Sequence, residues 1–426
     1  MPEIIPFRGV FYNPALVHID EVVAPPYDVI SPEQQQKLYE RNPYNVVRLI
    51  LGREEDRYAS AAKHLREWTE RSILRRDAEP VLYALWQTFN VGNGKSVTRK
   101  GFIALCRLEE FEQRVILPHE KTLAEPREDR FRLFKATNSN FSQVFSLYSD
   151  PEHELDSVLN GLAKSPPHAD VVFEDVQNRL WKVHDADAIG RIQRLMQSKQ
   201  VLIADGHHRY ETALAYRDLM RSQNPGHNGN ELYNYVMMFF TNVDDDGLVI
   251  FPTHRVVHSL ASFEPESLLQ KLEDIFLLRE CKDRESLMMA LSASPVRSFG
   301  LAVREIQSLF LLSLKPTISV ADIVADEMPR EVKDLDVTVL HAAILRDVLG
   351  ISAEAQELKR NLTYVREPSE ACEMVSSGQA QLAFLMNPTR IDEVRRAAKA
   401  GHTMPQKSTY FYPKLLSGLV LNIMSE

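Results

Sequence analysis

The sequence predicts an α/β protein, of the α+β kind, organised in two domains. Three observations carry this. The chain has 426 residues, more than one hydrophobic core usually organises. Hydrophobic residues make up 44% and charged residues 26%, the balance of an ordinary globular protein. Short apolar runs also alternate along it with segments whose apolar residues recur at helical spacing.

Residues 1–30 hold Pro6, Pro14, Pro25 and Pro26, which forbid a long helix there. Ser31-Pro32-Glu33-Gln34 reads as a helix start: Ser31 as cap, Pro32 in the first turn and Gln34 completing a capping box. That helix runs to about Glu40. A second covers Asp56 to Ser72, with Tyr58, Ala61, Ala62, Leu65 and Trp68 on one face. Val81–Val91 and Ser96–Leu108 flank Gly92-Asn93-Gly94-Lys95 and read as a hairpin. Helical segments are expected around Asp129–Lys135, Glu152–Leu162 and Ala186–Gln197, with a strand at Leu180–Val183. The apolar run Val201–Ala204 predicts a buried strand ending at Asp205, followed by a helix from about His208 to Arg221. Strands follow at Tyr233–Asn242 and Gly247–Pro252.

The remainder reads as a separate α/β unit. Helices are expected at Ser267–Phe276, Arg284–Ser292 and Val337–Leu349, and strands at Phe299–Val303, Leu309–Leu314 and Ala380–Met386. A last helix would be capped by Thr389 and ended by Gly401. The boundary falls near residue 255, giving a catalytic domain of residues 1–255 and a C-terminal domain of residues 256–426 that contributes a loop to the site.

Composition narrows the setting. Cys106, Cys281 and Cys372 are the only cysteines. Their separation suits neither a disulfide framework nor a zinc site, so a cytoplasmic protein is expected. Met1 to Arg8 shows no basic region followed by a long apolar run, so no signal peptide is expected. No apolar run approaches the roughly 20 residues of a membrane span. The net charge is −9, which disfavours a general nucleic-acid binder but leaves room for a local anion pocket.

Four motifs carry chemistry. Asp205-Gly206-His207-His208-Arg209 stands where a strand turns into a helix. Free amides at a helix start attract an anion, Gly206 permits a sharp turn, and Arg209 can grip phosphate with two N–H groups. The histidines can donate hydrogen bonds, and Asp205 can accept a hydroxyl proton or hold Mg²⁺. Pro118-His119-Glu120-Lys121-Thr122 gathers a base, an acid, a cation and a hydroxyl. Ala24-Pro25-Pro26-Tyr27-Asp28 offers an acid on a proline-stiffened turn. Lys407-Ser408-Thr409-Tyr410-Phe411-Tyr412-Pro413-Lys414 reads as a loop suited to phosphate. The dinucleotide-binding glycine fingerprint, the Walker loop, the Gly-x-Ser-x-Gly elbow and the His-Glu-x-x-His motif are all missing.

These four motifs, in order, resemble a widespread bacterial and archaeal family known as a domain of unknown function. The Asp-Gly-His-His-Arg box is also similar to the phosphate-binding box of the ParB–sulfiredoxin superfamily, which includes kinases of free L-serine. A pyrophosphate-dependent serine kinase is similar to the full-length family. The resemblance implies a ParB/sulfiredoxin-like N-terminal domain with insertions, and transfer of a phosphoryl group to serine to give O-phosphoserine. Glycine stands at position 206 where sulfiredoxins carry cysteine, which argues against sulfinic-acid repair.

The leading expectation is therefore a small-molecule kinase. Gly206, His207, His208 and Arg209 would hold the donor, with His119, Lys121, Thr122, Lys407, Ser408 and Thr409. Asp205, with Asp28 or Glu120, would accept the hydroxyl proton, and Asp205 would also place Mg²⁺. The donor is pyrophosphate or a nucleotide, and a homodimer is the assembly carried with this reading. The alternatives are a metal-dependent phosphoester hydrolase or nuclease built on His119, Asp205, His207 and His208, and a non-catalytic nucleotide-binding module.

Overall fold

A computed structural model describes residues 1–425 except 92, 93, 123, 307 and 325–327. Half of the expected Gly92–Lys95 turn therefore lies outside the described residues. Among the described residues, no helix is long and apolar enough to cross a membrane.

The architecture is mixed α/β, in two compact units. The first comprises residues 1–118, 122–249 and 413–426; the second comprises 119–121 and 250–412. The sequence reading divides the chain once, after residue 255. The observed units divide it after Val249, return the last fourteen residues to the first unit, and place His119–Lys121 with the second.

The first unit is built on a nine-stranded sheet. Its order is Ile116–Leu117, Val201–Asp205, Val144–Tyr148, Tyr235–Asn242, Ser96–Arg107, Leu82–Asn90, Val176–Val183 and Ala169–Phe173, with Ile4–Ile5 also paired to Ser96–Arg107. Val201–Asp205 runs parallel to Ile116–Leu117 and antiparallel to Val144–Tyr148. The register with Val144–Tyr148 slips between Ile203 and Asp205, a bulge-like irregularity of the kind that re-aims a side chain at a strand end. Tyr235–Asn242 is buried at every position, so it shows no alternation. The helix His207–Gln223 packs into the apolar core with Tyr210, Ala213, Leu214 and Tyr216.

Local signals account for many boundaries. Ser31 Oγ accepts from the Gln34 amide and opens the helix Pro32–Arg41. Of the expected box, the Ser31 half is observed; the Gln34 side-chain Nε2 donates to Glu174 Oε1. Asp56 caps Arg57–Glu70 by accepting from the Ala59 amide.

The second unit carries a six-stranded antiparallel sheet in the order Phe276–Cys281, Leu309–Leu314, Ser298–Val303, Leu382–Leu385, His254–Val257 and Leu362–Val365. Helix Pro265–Ile275 stops one residue short of the expected end, because Phe276 starts a strand. The expected cap Thr389 is corrected: Arg390 is the N-cap of Ile391–Lys399. The Thr389 hydroxyl donates instead to the Ser408 carbonyl at 2.7 Å.

His254 is fully buried in this sheet, and its Nδ1 accepts from the Met386 amide at 3.1 Å. Burial, helped by the neighbouring Arg255 charge, pushes His254 down to about 4. In the unfolded chain it titrates near 6.5, so below that pH the unfolded state binds the extra proton. Folding stability is therefore full above pH 6.5 and falls as the pH drops toward 4. His254→Asn, which keeps an acceptor near the Nδ1 position, should flatten the stability–pH slope by about one proton over this window. Urea unfolding at a series of pH values reads it, and an unchanged slope would contradict the assignment.

Candidate functional site

Val201–Asp205 is buried until its last residue, Asp205, which is half-buried. Gly206 follows with φ +91° and ψ 29° and stands as the N-cap of His207–Gln223. That left-handed backbone is one that L-residues rarely adopt. Glycine also lacks a side-chain acceptor, so the cap leaves the first-turn amides without a side-chain partner from it. A first turn of this kind favours an anion.

The Asp205 carboxylate is held on both sides. Arg209 Nη2 donates to Oδ2 at 2.7 Å, and Lys414 Nζ donates to Oδ1 at 2.5 Å. Arg209 also donates through Nη1 to Ser142 Oγ at 3.1 Å and to the Gln143 carbonyl. Arg99 adds a third cation that acts on Asp205 electrostatically. Its guanidinium is fully buried, lies 4.4 Å from the Phe145 ring centre, and donates to the Pro413 carbonyl at 2.6 Å and to Gln87 Oε1. Burial pushes Arg99 down to about 9, opposed by the Asp205 charge. Three cations thus act on one carboxylate.

The proline-stiffened turn reaches the same region. Ala24 pairs with Ser417 through backbone bonds in both directions, of 3.2 and 2.8 Å. Tyr27, Arg130, Ser142, Arg209, Thr212 and Ser417 line a cavity of about 60 Å³, room for a few waters or a small polar group. The Arg130 guanidinium lies 3.9 Å from the Tyr27 ring centre. Burial, then the Asp28 charge, raises the Tyr27 hydroxyl to about 12, so it stays protonated at neutral pH. Asp28 itself is exposed, in the short turn Tyr27–Val29. His207 is buried and His208 half-buried in the first turn of the helix. The Thr122 hydroxyl donates to Glu211 at 2.6 Å, and Glu211 also pairs with Arg127.

The other expected residues lie in the second unit. Buried His119 meets Thr409 Oγ1 through Nε2 at 3.0 Å and packs edge-on to Phe411. Its carbonyl accepts from the Met404 amide at 2.7 Å, and Glu120 forms a bridge with Met404. Arg255 Nη2 donates to the Lys407 carbonyl at 3.0 Å, holding Lys407 at φ +54°. Ser408 donates to the Pro405 carbonyl at 2.5 Å. Motifs almost 290 residues apart are thus joined here, and the Ser408 and Thr409 hydroxyls bond within the assembly. The motif Lys407–Lys414 is divided, since Pro413 and Lys414 belong to the first unit.

The expectation that Asp205 holds Mg²⁺ does not fit this donor set. Both carboxylate oxygens accept from cations, which repel a dication. Among the described residues, no group of three or more His, Cys, Asp or Glu side chains could hold a metal ion. Sequence reasoning left Arg99, Tyr27, Ser142 and Lys414 off the site. Lys414 stood inside a quoted motif, whereas Arg99 sits in a strand pattern that gives no sign of a buried charge.

The profile of a family described as protein of unknown function DUF1015 matches residues 4–338. No curated protein matches the chain. Among solved structures, a conserved hypothetical protein from Pyrococcus furiosus has 13% identity and a TM-score of 0.34, covering 71% of this chain and 90% of its own. A free serine kinase in complex with AMP has 13% identity and a TM-score of 0.35, covering 70% and 83%. SbnI with C-terminal truncation from Staphylococcus aureus has 10% identity and a TM-score of 0.34, covering 74% and 85%.

A Cβ at position 206 would lie 2.8 Å from Arg209 Nη2 and 2.9 Å from Arg209 Cζ, in a backbone conformation with φ +91°. Gly206→Ala should therefore cost about 1–2 kcal/mol for the backbone alone and push Arg209 off Asp205. Chemical denaturation measures the first effect. A wild-type midpoint would show that the turn relaxes without strain.

Proposed function

Because the chain belongs to the DUF1015 family, whose description assigns no activity, we propose a function from the site itself: a phosphotransferase that phosphorylates the hydroxyl of free L-serine. The observation that carries the reading is the single carboxylate Asp205, at a helix start, held by Arg209 and Lys414 with Arg99 behind it. Asp205 partly offsets these cations. A phosphoryl donor competes for them with more oxygens and more charge.

As Arg209 and Lys414 turn to the donor, Asp205 is released to accept the proton of the acceptor hydroxyl. The serine oxygen then forms its bond to phosphorus as the bond to the donor's leaving oxygen breaks. The cations and first-turn amides offset the charge that spreads over the transferring group. Pyrophosphate or a nucleotide is the donor class, and Mg²⁺ enters chelated to it as part of the substrate. The structural likenesses above are too distant to add weight.

Purified protein incubated with L-serine, Mg²⁺ and either pyrophosphate, ATP or ADP should yield O-phosphoserine, read by mass spectrometry. Asp205→Asn should lower kcat at least a hundredfold, the range of a lost general base, while the fold survives. Lys414→Met should raise KM for the donor. No product with any donor defeats the proposal, and a fully active Asp205→Asn removes the carboxylate from the chemistry.

A further inference from the structure

The second unit holds a cavity of about 260 Å³ that the proposed reaction does not use. Lys121, Thr338, His341, Arg346, Gln356 and Tyr364 are among its polar lining residues. Four features distinguish it from a packing defect. Its wall includes Leu340–Val348, a π-helix, a wide and rare form that is frequent at functional sites. Thr338 is buried, and its Oγ1 has no hydrogen-bond partner among the described residues, a cost that a ligand oxygen would relieve.

His341 Nε2 accepts from Arg255 Nε at 3.4 Å, which puts any imidazole N–H on Nδ1. Burial and the Arg255 charge push His341 down to about 3, so it acts as a neutral hydrogen-bonding group. Gln356 is anchored by its own bonds to the His341 and Ile351 carbonyls, so the wall is braced across two helices.

The charge on the lining is uneven. Among the described lining residues, Lys121 and Arg346 stand with one acid, Glu357, while the Glu120 charge also acts on Tyr364. Arg346 pairs with Asp347, but both are exposed, and exposed pairs exchange readily. A guanidinium and an ammonium beside hydroxyl, imidazole and phenol groups suit a phosphate carried on a polar organic body.

We propose that this cavity binds a small organic phosphate monoester. Its phosphate would meet Lys121 and Arg346, and its polar body would meet Thr338, His341 and Tyr364. This proposal does not rest on the phosphotransferase reading.

The test is isothermal titration of the full-length protein with glycerol 3-phosphate, AMP and inorganic phosphate, none of which requires turnover. At least one ester should bind saturably. Arg346→Ala should weaken that binding at least tenfold and Thr338→Val at least threefold, while Asp205→Asn leaves it unchanged. Hydrogen exchange should slow across residues 338–349 when the ester is added. Saturable binding of neither ester, or of inorganic phosphate alone, overturns the proposal. So does equal binding by the parent, Arg346→Ala and Thr338→Val, or loss of binding in Asp205→Asn, which would place the ester in the first unit. Arg346 is exposed, so its variant should fold; loss of phosphoserine formation with ester binding intact would count against the phosphotransferase reading alone.

Discussion

The Asp205 carboxylate is the constraint on which the first unit's site depends. It ends a buried strand, precedes the turn into a helix, and receives Lys414 from the last fourteen residues of the chain. Without it, Arg209, Lys414 and the buried Arg99 would face one another uncompensated. At an effective dielectric of about 20, like charges a few ångströms apart repel by several kcal/mol. The acid therefore offsets the charge gathered at the site and is also the group best placed to accept a proton within it.

Gly206 is required by the same geometry. The chain must turn between the last strand residue and the first helical turn, and φ +91° achieves this in one residue. The space above the glycine is occupied by the Arg209 guanidinium. Glycine thus meets a backbone need and a packing need at once, and the i,i+4 spacing of Asp205 and Arg209 follows.

Much of the local fold was legible because local physics determines it. Ala186–Gln197, Arg284–Ser292 and Leu309–Leu314 match the sequence reading at both ends. The Val201–Asp205 strand and the box at its end were equally plain. The His254–Val257 strand was hidden because it is buried at all four positions while carrying a histidine and an arginine. No periodicity announces a strand whose charge is satisfied by tertiary contacts. The same applies to Arg99, which is stabilised by Phe145 and by carbonyl and amide oxygens from distant residues. The return of residues 413–426 to the first unit was also unreadable, since it depends on contacts hundreds of residues apart.

The two buried arginines show why motif reading identified loops more readily than their anchors. Arg99 donates to the Pro413 carbonyl and Arg255 to the Lys407 carbonyl. Each thus holds one end of the Lys407–Lys414 motif from a different strand. Each is held below its ordinary range by burial, Arg99 near 9 and Arg255 near 10. A buried guanidinium is costly unless its donors are used; each gives one donor to a carbonyl of the motif, Arg99 another to Gln87 Oε1 and Arg255 another to His341 Nε2. The motif's conformation is therefore a consequence of charges placed in the sheets. Its lysines, hydroxyls and aromatic residues are visible in sequence as a cluster, while the residues that shape the cluster lie among apolar strand neighbours and are visible only in the fold.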